Sequence, residues 1–138
     1  MIQFDKASIN QLIVTVTENS TVANPIYLFL FKNQQSGTDY YFIATDISSF
    51  KSRYNKFLVT EKSNASTLNG EVEIGNEGFY DYEIYQTSLI STSGLTTALD
   101  AVQYITKIVE TGLVWVAPTP TVNQTYSPQA NTIIVYQP

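Results

Sequence analysis

Alternation of apolar and polar side chains predicts β-strands along the first half of the chain. Within residues 11–18, Leu12, Val14 and Val16 point to one face. This period of two, with its β-branched content, indicates a strand that is buried on one side. Residues 26–32 are apolar on both faces and rich in aromatics, which favours a strand covered on both sides, as in the core of a sandwich.

The next three segments extend this set of predicted strands. Residues 40–46 follow a loop rich in Asn, Gln, Ser and Gly, so they are expected to form a hairpin with the preceding strand. Residues 56–61 place Phe57 and Val59 on a common face. Residues 71–75 are predicted to be a short strand or an extended approach to the segment that follows.

The most aromatic segment begins at Gly78. One face carries Tyr80, Tyr82 and Ile84, and only this face is uniformly suited to burial. Tyr80 follows a glycine after a short acidic turn, and this spacing resembles the tyrosine corner of immunoglobulin-like sandwiches. In that motif the tyrosine hydroxyl bonds back to the turn before its strand. We therefore predict an all-β fold, an immunoglobulin-like antiparallel β-sandwich with an extended C-terminal arm.

The last third of the chain mixes two periodicities. Residues 97–103 are predicted to be a short helix or irregular turn, because their apolar side chains recur at helical spacing. Residues 105–110 and 113–117 alternate as strands. The intervening Thr111 and Gly112 are expected to turn or bulge the chain.

The domain organisation follows from a change in composition after residue 117. Residues 1–117 are assigned to the sandwich domain, and residues 118–138 to a proline-rich arm that ends in a short strand, "NTIIVYQP". That last strand can fold back onto its own sheet or add to the sheet of a neighbouring subunit.

Composition limits the classes of partner. The chain has 138 residues, of which 43% are hydrophobic and only 14% charged, and its net charge is −5. The hydrophobic content excludes intrinsic disorder. Lys51, Arg53 and Lys56 are the densest cationic group, and Glu61 follows soon after. Because nucleic-acid binding needs clustered cations, we expect no nucleic-acid partner.

The remaining bulk features concern redox chemistry and membranes. Without cysteine the chain has no disulfide and no thiolate metal site. The N-terminal residues lack a basic start followed by an apolar run, so we expect no signal peptide. The longest apolar run, residues 26–31, is far too short to span a bilayer, so no membrane association is expected.

Candidate catalytic chemistry is restricted to carboxylates, because histidine and cysteine are absent. Asp81 and Glu83 occupy alternate strand positions, roughly 6 to 7 Å apart. That separation could suit a glycosidase pair or a calcium site. The spacing of a calcium-binding loop does not occur, and a solvated strand face is the favoured interpretation. We expect a protein that is not an enzyme and has no cofactor and no metal.

Exposed aromatic residues are the remaining candidates for binding. Phe79 and Tyr85 lie on the outer face of their strand and could form a stacking platform, although an aromatic core strand is the favoured interpretation. Trp115 is expected in the core or at an interface rather than on a sugar platform. A carbohydrate- or surface-binding module would use Tyr40, Phe79, Tyr85 or Trp115.

The order of several short motifs resembles small virion proteins of tailed phages that infect Bacteroidetes, including crAss-like phages. The segments that carry this resemblance are residues 10–18, 24–29, 53–57, 78–85 and 109–116. The resemblance covers residues 9–117, and it implies a β-sandwich without enzymatic activity that serves as a structural part of the particle. The motifs of residues 95–104 and the proline-rich arm lie outside it.

The resemblance implies a capsid auxiliary or head-fibre anchoring protein, with a minor tail component as the alternative. Its expected partners are other virion proteins and copies of itself. Its expected location is the virion, after synthesis in the cytoplasm of the host bacterium. A low-charge chain rich in Asn, Thr and Tyr agrees with this implication, because such a surface tolerates close contact with other protein surfaces.

Overall fold

The computed structural model describes residues 1–118, whose strands form two sheets packed face to face. The strands are β1 (Ile2–Asp5), β2 (Ile9–Val14), β3 (Tyr27–Asn33), β4 (Asp39–Ala44), β5 (Asn55–Glu61), β6 (Glu71–Val72), β7 (Gly78–Thr87) and β8 (Ile105–Ala117). The larger sheet has the order β1-β8-β7-β3-β4, and the smaller one has the order β2-β5-β6. The predicted all-β sandwich is confirmed. The predicted arm lies outside the described residues, apart from Pro118.

The connections follow the plan of an immunoglobulin sandwich. In the larger sheet, β3, β7 and β8 hold the positions of strands C, F and G, and β4 adds the position of C′. In the smaller sheet, β2 and β5 hold those of B and E. The pairs β1–β8 and β5–β6 are parallel, whereas the other described pairs are antiparallel as expected.

The core lies between the two sheets. As predicted, Tyr80, Tyr82 and Ile84 on β7 face inward and are buried. Phe29 stacks on Phe42 with ring centroids 5.0 Å apart and meets Phe57 of the smaller sheet edge-on at 4.9 Å. These aromatic contacts join the sheets, because Phe57 lies on β5 while the other two rings belong to the larger sheet.

A second, smaller apolar cluster covers part of the outer face of the larger sheet. It contains Leu28, Ile43, Ala98 and Ala101, and the two alanines belong to a 3₁₀ helix, Ala98–Tyr104. This helix confirms the helix or turn predicted for that segment. It also explains why β3 is apolar on both faces: its inner side chains enter the main core, and Leu28 packs beneath the helix.

The tyrosine corner predicted from the spacing at Tyr80 is present. The Tyr80 hydroxyl donates a hydrogen bond of 2.7 Å to the carbonyl oxygen of Asn76, in the turn before β7. Gly78, between them, has a φ of +124°, a conformation that a residue with a Cβ rarely adopts. The glycine therefore allows the turn that brings the Asn76 carbonyl over the Tyr80 hydroxyl.

The prediction of two strands separated at Thr111 and Gly112 is corrected by the structure. β8 runs through both residues, and its register with β7 shifts instead at two places, near Val109 and near Thr106. Gly112 lies opposite Tyr82, and a Cβ at Gly112 would be 2.6 Å from the Tyr82 ring. The glycine is therefore used to accommodate an aromatic ring on the neighbouring strand rather than to turn the chain.

The first predicted strand is shorter than its alternation indicated. β2 ends at Val14, and a 3₁₀ turn, Thr17–Asn19, follows it. The buried face is nevertheless as predicted, since Val14 and Val16 are both buried. The strand ends early because the Asn55 side chain accepts the N–H groups of Val16 and Thr17 in place of a neighbouring strand.

Candidate interaction surfaces

Two of the three predicted binding residues meet on the outer face of the larger sheet. Phe79 of β7 is directly opposite Trp115 of β8, and their ring centroids are 4.8 Å apart with the planes tilted by 56°. Phe79 is 48% exposed, and Leu113, two residues before Trp115, is 43% exposed. We call Phe79, Leu113 and Trp115 the large-sheet patch.

The third predicted residue, Tyr85, lies on the same face but in different surroundings. Tyr85 lies six positions after Phe79 on β7, which corresponds to about 20 Å along a strand. Tyr85 is half-buried against the second apolar cluster, and its hydroxyl donates to the Glu83 carboxylate. Burial, and next the Glu83 carboxylate, raise the pKa of Tyr85. Tyr85 therefore does not share a site with Phe79 and Trp115.

The proposed use of Tyr40 as an exposed stacking residue is not supported by its position. The Tyr40 ring packs against Tyr80 with centroids 6.0 Å apart, on the inner side of β4. Its hydroxyl accepts the N–H of Gly75 at 3.0 Å. Tyr40 therefore packs at the margin of the core, between the Tyr80 ring and the backbone at Gly75.

The two carboxylates considered for catalysis or calcium are engaged separately. Asp81 accepts a hydrogen bond of 3.0 Å from the Gln34 side chain, and Glu83 accepts the Tyr85 hydroxyl. Among residues 1–118, no group of three or more acidic side chains is arranged to hold a metal ion. Both residues lie on the outer face of β7, next to the large-sheet patch.

A groove of about 640 Å³ lies between the 22–27 loop and the end of β4, with Asp46 among its lining residues. Burial tends to raise the pKa of Asp46, but hydrogen bonds from Ser48, Asn55 and the Lys56 N–H outweigh it, so this pKa is lowered. Those donors already occupy the Asp46 oxygens, at distances from 2.6 to 3.3 Å. Asp46 is therefore a structural carboxylate that holds the loop between β4 and β5.

A second apolar surface lies on the outer face of the smaller sheet. Ile9 is 71% exposed, Ile13 49% and Leu58 44%. Leu58 pairs with Gln11, so it lies diagonally between the two isoleucines. We call these three residues the small-sheet patch. Sequence reasoning missed it, although aliphatic residues at the outward positions of alternating strands were a visible signal.

Comparison of the chain with family models, with curated proteins and with solved structures gives no match. Within residues 1–118 the structure contains no helix that is long and apolar enough to cross a membrane. Function must therefore be inferred from the surfaces described above and from the resemblance in the order of the sequence motifs.

Proposed function

We propose that the protein is a structural component of a phage virion, a capsid auxiliary or head-fibre anchoring protein that acts through protein–protein assembly. The observation that carries the proposal is a sealed sandwich with an exposed apolar patch on each outer face. Exposed apolar patches rimmed by polar residues mark protein interaction sites. Two such patches on opposite sides suit a subunit that contacts two neighbours at once.

The chemistry of the surface supports the same role. Only 14% of the residues are charged, and within residues 1–118 the structure contains a single ion pair, Lys62 with Glu71 at 4.0 Å. The centres of protein interfaces are depleted in charged residues, since burying a charge is costly. The order of the sequence motifs, which resembles that of small phage virion proteins, supports a location in the virion after synthesis in a bacterial cytoplasm. It also supports other virion proteins and further copies of this chain as the partners.

The proposal is tested on phage particles purified by density gradient. Peptide mass spectrometry is expected to find the chain at a fixed ratio to the major capsid protein.

A phage that encodes Leu113→Lys is expected to incorporate fewer copies, because the charge is placed in the large-sheet patch. Thr111→Lys, exposed on the same face of β8, is the matched control. Absence of the chain from purified particles would refute the proposal, and immunogold labelling of the tail instead of the head would favour a minor tail component.

The second candidate is a carbohydrate- or surface-binding module, which the contact between the exposed Phe79 and the half-buried Trp115 favours. Aromatic side chains that present a face to solvent stack on sugars, but here the 56° tilt turns the two rings toward each other. Tryptophan fluorescence in the presence of polysaccharides distinguishes the candidates, since Trp115 is the single tryptophan. A saturable change that Phe79→Ala removes would indicate carbohydrate binding, whereas an assembly protein is expected to show none.

A further inference from the structure

The free edge of β2 is the feature of the fold that remains without a role. The N–H of Glu61 donates to the carbonyl of Ser8 at 2.9 Å, so even-numbered residues of β2 form the bonded pairs with β5. The N–H and C=O groups of Ile9, Gln11 and Ile13 then point away from the sheet. Within residues 1–118, no hydrogen bond reaches these outward groups. We call this set the β2 edge.

The β2 edge is open and lacks the usual protection. In an immunoglobulin sandwich, strand A pairs with strand B, but here β1 pairs with β8 in the other sheet. The six residues of β2 include no charge, no proline and no bulge, which are the devices that normally prevent strand addition. The edge closes only beyond Val14, where the N–H of Thr15 donates to the Glu110 carboxylate at 3.3 Å.

We propose that the β2 edge accepts residues 131–138 of a second copy of this chain as an added strand. The sequence "NTIIVYQP" is uncharged, and its β-branched core is typical of a strand. Its backbone would bond to the outward groups of Ile9, Gln11 and Ile13, while its aliphatic side chains extend the small-sheet patch. The proposal rests on the assembly role proposed above and names one contact through which copies join.

The length of the linking segment favours a second copy over the same chain. Ala117 accepts the N–H of Lys6 at 3.2 Å, so the chain leaves β8 close to the start of β2. Thirteen residues, 118–130, then precede the strand-like segment, and three of them are proline. At about 3.1 Å per residue a fully extended segment of this length would measure about 40 Å, roughly twice the length of a six-residue strand. This length would be enough to carry residues 131–138 beyond the β2 edge of their own subunit and onto that of a second copy.

Strand addition of this kind is directional. Each copy offers one donor segment and one acceptor edge, so the contact is head-to-tail and produces a ring or an open chain of subunits. Inactivation of the donor in one variant and of the acceptor in another should therefore leave a single productive contact between the two.

The test uses full-length variants and measures mass in solution by light scattering. Gln11→Pro removes an outward N–H without breaking the ladder to β5, because proline is tolerated at solvent-facing edge positions. Ile134→Pro inactivates the donor. Each variant alone is expected to raise the dissociation constant of self-association by roughly tenfold or more. Gln11→Ala and Ile134→Val, which retain the N–H groups, are the matched controls and should associate as the parent chain does.

Mixing the two proline variants gives the decisive result. A discrete 1:1 complex, formed by two variants that are each monomeric, is expected. Wild-type chains that stay monomeric, a mixture that forms no complex, or an alanine control as defective as Gln11→Pro would overturn the proposal. Circular dichroism verifies that each variant is folded, and Ile13→Lys supplies a second way to block the edge. Chains found in virions but unable to self-associate would refute this inference and leave the proposed function standing.

Discussion

The Tyr80 side chain stabilises the fold in two ways. Its ring is fully buried and lies 6.4 Å from Phe31, centroid to centroid, while its hydroxyl bonds to the Asn76 carbonyl. The ring contributes burial of apolar area, and the hydroxyl fixes the turn before β7. Substitutions can separate the two contributions.

Tyr80→Phe is expected to lower the free energy of unfolding by about 1 kcal/mol, the usual net contribution of one hydrogen bond, because the ring remains in place. Urea unfolding measures the difference. Tyr104→Phe is the matched control: Tyr104 is 37% exposed, and its hydroxyl makes no hydrogen bond within residues 1–118. Equal effects of the two substitutions would show that the tyrosine corner contributes nothing.

Gly112→Ala is expected to destabilise the sandwich by about 1 to 3 kcal/mol, the usual range for an overpacked core. The added Cβ would lie 2.6 Å from the ring of Tyr82, so the ring must move. Thermal unfolding of Gly94→Ala provides the control, because a Cβ at Gly94 meets no atom within 4 Å. A Gly112→Ala protein as stable as that control would contradict the packing described for β8.

At the scale of elements, one buried side chain connects two strands and a loop. The Oδ1 atom of Asn55 accepts the N–H groups of Val16 and Thr17 at 2.8 and 3.1 Å. Its Nδ2 atom donates to Thr17 Oγ1 and, at 2.6 Å, to Asp46 Oδ2. Asn55 thus ties the end of β2 and the start of β5 to the loop that follows β4.

Asn55→Ala is therefore expected to cost about 2 to 3 kcal/mol, since it leaves the buried N–H of Val16 and the part-buried N–H of Thr17 without an acceptor. Denaturant unfolding is the measurement, and Gln35→Ala is the control, because the exposed Gln35 side chain makes no hydrogen bond among the described residues. A loss for Asn55→Ala no larger than that of Gln35→Ala would show that water replaces the side chain without penalty.

The sequence predicted those strands whose burial on one face is visible in the alternation of their own side chains. The period of two identified the inner faces of β2, β5 and β7, because alternate side chains of a strand meet alternate surroundings. β1 was not predicted, since four residues carry too little alternation and its partner β8 lies at the far end of the described chain. The sequence of neither strand contains a local pattern that would predict their parallel pairing.

The candidate surfaces were predictable only in part, for the same reason. Phe79 and Trp115 were each identified, but their contact depends on the register of β7 with β8, which the irregularity near Val109 sets. The exposure of Ile9 and Ile13 depends on whether another layer covers the outer face of the smaller sheet, which the alternation within β2 does not reveal.

At the scale of the whole molecule, buried phenols make stability depend on alkaline pH. Burial is the largest cause of a raised pKa at five tyrosines: Tyr27, Tyr41, Tyr80, Tyr82 and Tyr85. At Tyr82, the hydrogen bond to the Glu110 carboxylate at 2.7 Å raises the pKa further, since it favours the neutral hydroxyl.

The sign of the pH dependence follows from these raised values. Above pH 10 the unfolded chain has lost phenolic protons that the folded chain retains, so stability is fully present below pH 10 and falls as pH rises. Phenolate absorbance is expected to show these tyrosines ionising only as circular dichroism reports unfolding. In concentrated guanidinium chloride these five tyrosines should titrate together near their ordinary pKa. Complete titration in the folded protein near pH 10 would contradict the burial.

The parallel pairing of β1 with β8 has a consequence for how the domain bears mechanical load. A pull on Ile2 toward one end and on Ala117 toward the other draws these two strands past each other along their common axis. The evenly spaced bonds of a parallel ladder then share the force and must rupture together, instead of opening one by one like a zipper. Tension along the chain therefore meets its resistance at this short pair of strands before it reaches the aromatic core.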